Sequence, residues 1–103
     1  MKQYVSPHKK PTPRQTELLH VLIEECAEVQ KAATKLLRFG AKDHDPYGDG
    51  KTNDVCLSEE LGQLEAVSVM LQSRGIVLSR AVLDGYGEKC NKLPKYLQTE
   101  EDE

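Results

Sequence analysis

The stretch TPRQTELLHVLIEECAEVQKAATKLLRFG, residues 12–40, decides the fold. Thr12 offers an N-cap hydroxyl, Pro13 a first helical position that needs no backbone donor, and Gln15 the return arm of a capping box. Beyond them Leu18-Leu19, Leu22-Ile23, Val29, Ala32-Ala33 and Leu36-Leu37 recur every three to four residues, which is the spacing of one helix face. Gly40 closes the pattern as a C-cap. The spacing predicts a helix of about 26 residues, roughly 39 Å long.

Working outward, residues 41–55 are rich in Asp, Gly and Pro and read as a loop. Thr52-Asn53-Asp54 supplies a cap for a second helix near 55–74 that stops before Gly75. Ser79 caps a third, weaker helix through about Leu93, ended by Pro94. Residues 1–12 form an N-terminal arm, 13–97 the helical domain and 98–103 an acidic tail. With no strand alternation, the chain is expected to be all-α and a single small domain.

Composition narrows the function. The 14 Lys and Arg against 17 Asp and Glu give a formal charge of −3, which argues against stable nucleic-acid binding. No apolar run approaches the ~18–20 residues of a membrane span, and no signal peptide is visible. Cys26, Cys56 and Cys90 form no CxxC pair, so neither a disulfide framework nor a cysteine-based zinc site is expected. Reduced thiols point to the cytoplasm. There is no Trp and one Phe, and a chain of this size buries only about 60–65% of its unfolded surface. A helical bundle completed by oligomerisation is the expected remedy.

On a helical wheel, Glu25 falls inside the apolar arc of the first helix and Glu28 on its flank, while Glu24, Lys31 and His20 face away. On the second helix Leu57, Leu61, Leu64, Val67 and Leu71 make the stripe. Glu60 sits within it, and Gln63 lies on its flank. Each helix thus repeats one pattern, a Glu in the stripe and an oxygen-bearing side chain three residues on. A carboxylate facing a core is costly without a partner, and two on facing helices repel; a hard divalent cation answers both problems. The plainer alternative is that Glu25 and Glu60 snorkel at the edge of the core.

These residues resemble a known family. Ile23-Glu24-Glu25-Cys26-Ala27-Glu28-Val29, followed by Ser58-Glu59-Glu60-Leu61-Gly62-Gln63-Leu64, is similar to the paired acidic signature of the MazG-like all-α nucleoside triphosphate pyrophosphohydrolases. The stretches KAATKLLRFG, 31–40, and KLPKYL, 92–97, resemble short phage-type members. The resemblance implies Mg²⁺, with Mn²⁺ as a substitute, held at Glu25, Glu28, Glu60 and Gln63. It implies cleavage of (d)NTPs to (d)NMP and pyrophosphate by a homodimer or homotetramer. Glu24 or Glu59 is then the residue that orients or activates the attacking water. Lys35, Arg38 and Lys89 are candidate phosphate contacts, and Asn91 and Lys92 occupy the place of a substrate-contacting Asn.

Two positions depart from the pattern. Gln63 stands where the family has Asp, which removes one negative charge from the metal cage, and Glu65 lies too far round the helix to replace it. Lys92 stands where the Asn is usual, with Asn91 one residue out of register. A catalytically weakened nucleotide-binding or protein-interaction module on the same fold is therefore the alternative. The loop from Asp43 to Gly50 does not fit an EF-hand register, since neither Asp54 nor Cys56 supplies its terminal Glu.

Overall fold

The computed structural model describes residues 10–100, which form three helices and no strand: α1 (Pro13–Phe39), α2 (Asn53–Ser73) and α3 (Ser79–Tyr96). The first part of the expected arm and the end of the acidic tail lie outside the described residues. α1 begins as its capping box requires. The Gln15 amide donates to the Thr12 hydroxyl at 3.2 Å, and the Thr12 amide donates to Gln15 Oε1 at 2.9 Å. Gly40 ends the helix at φ 90°, a conformation that a side chain would strain, while its N–H donates to the Leu36 carbonyl.

α1 and α2 pack as an antiparallel pair tied at both ends. At one end Gln15 Nε2 donates to the Arg74 carbonyl at 2.9 Å. At the other, Asn53 Nδ2 donates to the Gly40 carbonyl at 3.0 Å, and the amides of Asn53 and Asp54 donate to the carbonyls of Asp43 and Ala41. Asn53 is buried and polar, and these bonds satisfy it. The intervening loop is thereby pinched shut at its base, with His44 and Thr52 bridged across it.

The apolar interior is small. Among the described residues, Ala32, Val67 and Leu71 are the buried hydrophobic ones, and Leu71 alone is fully enclosed. Burying one such side chain contributes about 1.5–3 kcal/mol. The rest of the α1 stripe (Leu18, Leu19, Leu22, Val29, Ala33, Leu36) is only half-buried. Leu37 and Leu61, expected in the stripes, are exposed, and so is Cys26. One partner helix covers too narrow a strip of the apolar arc of α1 to reach them.

α3 stands apart, with none of its residues buried among helical neighbours. It starts from Leu78 at the N-cap position, not Ser79, and runs past Pro94 to Tyr96. Pro94 is tolerated because it sits in the last turn, where only one helical hydrogen bond is forfeited. The chain spans 63 × 37 × 18 Å with a radius of gyration of 18.3 Å. A compact chain of this length has a radius of gyration of about 13 Å.

The start of α2 differs from the expected cap in detail. The Thr52 hydroxyl makes no capping bond to the backbone and donates instead to Asp54 Oδ1, whose other oxygen lies 2.6 Å from Lys42 Nζ. The Lys42 ammonium, and then the Thr52 hydroxyl, hold the Asp54 carboxyl down at about 2, against an ordinary 3.8. A carboxyl lowered on folding adds stability above its unfolded value, and this is lost as pH falls through the folded one. Acid titration followed by circular dichroism should show a loss between about pH 4 and 2. Asp54→Asn should remove that component and leave stability at pH 7 lower than wild type.

Candidate functional site

The site grows from three consecutive features of the α1–α2 pair. On α1, Glu25, Glu28, Ala32 and Lys35 follow one another at three- and four-residue steps and share a face. On α2, Asn53, Cys56 and Glu60 do the same. The loop 43–51 folds over the gap between them. Glu28, Lys31, Lys35, Asp45, Asp49, Lys51, Asn53, Cys56 and Glu60 are among the residues that line the resulting cleft of about 300 Å³.

Glu25 and Glu60 are half-buried, and each has one carboxylate oxygen (Oε2) sealed from solvent with no hydrogen-bond partner among the described residues. Ionised, both groups are acceptors only, so neither can satisfy the other. Burial is the first cause that pushes the Glu60 carboxyl above its ordinary range. The negative charges of the neighbouring Glu25 and Glu28 carboxylates come next, with that of Glu59 a smaller contribution. Two half-buried carboxylates from separate helices, each with one sealed oxygen, form an anionic point beside the cleft, whose wall includes Glu60. Their chemistry is that of a hard-cation donor set. Glu28 stays exposed on its flank, and among the described residues no three His, Cys, Asp or Glu side chains converge closely enough to enclose an ion as they stand.

The other expected residues distribute unevenly. Glu59 is exposed and gripped by Lys51, whose ammonium lies 3.0 and 3.2 Å from its two oxygens and 3.8 Å from Asp49 Oδ2. That ion pairing raises the Lys51 pKa. Glu24 is exposed on the outer side of α1, as the wheel requires. Gln63 is exposed and outside the cleft lining. Lys35 lines the cleft. Arg38 does not; its guanidinium lies 5.1 Å over the Phe39 ring. Lys89 and Lys92 edge a separate groove along α3, where Lys92 pairs with Glu88 at 3.9 Å, and Asn91 is exposed and lines neither. Within one chain, then, the α3 residues are not brought to the cleft.

Four cleft residues escape the sequence pattern. The wheel points Lys31 to solvent, yet its long stem reaches back to the cleft from a position one turn beyond Glu28. Asn53 and Cys56 stand seven and four residues before Glu60, a helical spacing that could have found them. Lys51 belongs to the loop, and no periodicity marks it. Compared with protein families, with curated proteins and with solved structures, the chain matches none.

Proposed function

We propose that this chain is a Mg²⁺-dependent nucleotide pyrophosphohydrolase that cleaves a (d)NTP to (d)NMP and pyrophosphate in the cytoplasm. One observation carries the reading: Glu25 and Glu60 meet from two helices with sealed, unpartnered oxygens, beside a cleft edged by Lys31, Lys35 and Lys51. Negative charge in the wall and positive charge on the rim is the pairing that a metal-bound polyphosphate requires. Glu25 and Glu60 would hold the ion, with Glu28 joining them by a side-chain rotation and Gln63 offering a neutral carbonyl one turn beyond Glu60. Mn²⁺ suits the same oxygen set. When bound, the ion cancels the buried charge and clamps phosphate oxygens.

The lysines draw the phosphates in and hold them. Glu59, fixed by Lys51 at the cleft edge, orients a water and takes its proton; Glu24 faces away and is the weaker candidate. The water oxygen joins one phosphorus of the α–β link, and the bridging oxygen leaves with the other phosphoryl group. Incubating the protein with a panel of NTPs and dNTPs plus Mg²⁺ or Mn²⁺, with products resolved, tests the reading. Monophosphate and pyrophosphate in equal amounts are expected; release of single phosphates, or no product, would overturn it.

A second reading is favoured by the exposed Gln63 and the open arrangement of Glu28: a nucleotide-binding module that retains the cleft without turnover. Thermal stabilisation by Mg²⁺ with a non-hydrolysable NTP analogue, in the absence of product, would select it. Gln63→Asp addresses both readings. An added carboxylate one turn from Glu60 should lower the Mg²⁺ concentration for half-maximal effect about tenfold. Equal Mg²⁺ dependence of the two proteins would place residue 63 outside the coordination sphere.

We further propose that the working unit is a homodimer or homotetramer. The chain exposes 9010 Å² of surface, where a folded monomer of its mass, 11.6 kDa, exposes about 5,800 Å². Leu78, Leu83, Tyr86, Tyr96 and Leu97 of the α3 region are all more than half exposed. A second copy is the partner that brings an equal apolar face to cover them.

A further inference from the structure

A second cavity of about 530 Å³ opens beside the cleft, walled by Lys35, Phe39, His44, Asp45, Pro46 and Asn53. Lys35, Asp45 and Asn53 line both spaces, so the two adjoin. Their characters differ. The first holds the carboxylates and the lysine rim. The second is walled by an aromatic ring at the end of α1, an imidazole and a proline. Together they fall within the size range of small-molecule sites, apolar in body with a few placed polar groups.

We infer that this second cavity is the nucleoside subsite of the cleft and that it favours a base carrying an exocyclic amine. The inference rests on the proposed phosphate-cleaving reading of the adjoining cleft. A phosphate chain held at Lys31, Lys35 and Lys51 leaves its nucleoside end to pass Lys35 and Asn53 into the neighbouring space. Phe39, 55% exposed and backed by the Arg38 guanidinium, presents an aromatic ring to the cavity, and no second aromatic side chain lines this cavity among the described residues. A flat heteroaromatic base stacks on such a face whatever its sequence of ring atoms.

The polar wall sets the preference. Asp43 also lines the cavity. One oxygen of Asp43 accepts from the His44 amide at 2.8 Å, and one oxygen of Asp45 accepts from the Tyr47 amide at 2.9 Å. Each keeps a second carboxylate oxygen, and carboxylates only accept. The exocyclic amine of cytosine or adenine donates to such a group. The O4 carbonyl of thymine meets it lone pair to lone pair.

Calorimetric titration in Mg²⁺ with dCMP, dTMP and inorganic pyrophosphate tests this on the whole chain. Wild type should bind dCMP about tenfold more tightly than dTMP. Phe39→Ala should weaken dCMP about tenfold or more while leaving pyrophosphate within twofold, and Phe39→Trp should restore dCMP. Phe39 is more than half exposed, so its loss leaves the fold intact, which circular dichroism checks. Equal dCMP binding by Phe39→Ala and wild type, parallel loss of pyrophosphate, or dTMP binding as tight as dCMP would each overturn the inference. Wild type binding pyrophosphate but no monophosphate would overturn the subsite alone. Binding neither would overturn the reading of the cleft itself.

Discussion

Glu60→Gln should reduce metal-dependent hydrolysis by about a hundredfold to a thousandfold, the loss seen when one principal charge-stabilising group is removed from an active site. The same substitution should leave the metal-free protein as stable as wild type or more so. The two outcomes share one cause. Glu60 sits beside Glu25 with a sealed oxygen, pushed toward protonation by burial and by its acidic neighbours. Gln keeps the volume and one acceptor, adds an N–H that can donate to Glu25, and removes the like-charge repulsion. A residue retained for packing would lose stability on substitution and leave turnover unchanged. Thermal melts without metal, set beside turnover with saturating Mg²⁺, read both quantities. Glu25→Gln should behave alike. Full turnover in both variants would place the chemistry elsewhere.

Much of this arrangement is legible in the sequence because helix faces are periodic. The capping box at Thr12 and Gln15, the stop at Gly40 and the positions of Glu25 and Glu60 within apolar stripes all follow from local chemistry and a 3.6-residue turn. The loop is different. Lys51 reaches Glu59, Asp45 and Asp49 line the cleft, and Phe39 shares a cavity with the 43–46 segment, an arrangement that no period encodes. Side-chain length misleads as well: Lys31 starts on the far face and still reaches the cleft. The caps at Thr52 and Ser79 differ from expectation for a third reason. Short hydroxyl side chains choose among nearby donors and acceptors, and Asp54 outcompetes the backbone for Thr52.

Tyr86→Glu should break the assembly. Tyr86 is 70% exposed and lies on one face of α3 with Val82 and Leu93. In a monomer this substitution would be nearly silent, within about 0.5 kcal/mol, because the site touches little and Glu is the better helix former. Against a second copy the same Glu becomes a buried, uncompensated charge, which costs about 3–5 kcal/mol. The wild-type melting temperature should accordingly rise with protein concentration. A dimer of about 200 residues unfolds with an entropy near 2.1 cal/mol/K per residue, so each tenfold increase adds about 3 °C. Tyr86→Glu should lower the melting temperature and shift the mass measured by light scattering to that of a single chain. The consequence for the site follows from the fold. α3 carries Lys89 and Lys92 away from its own cleft, and in the proposed dimer they would serve that of the partner. Turnover should then fall with dissociation even though Tyr86 lines no cleft. A concentration-independent melt, a single-chain mass for wild type, or a Tyr86→Glu protein that keeps its mass and stability would show that α3 is a free arm.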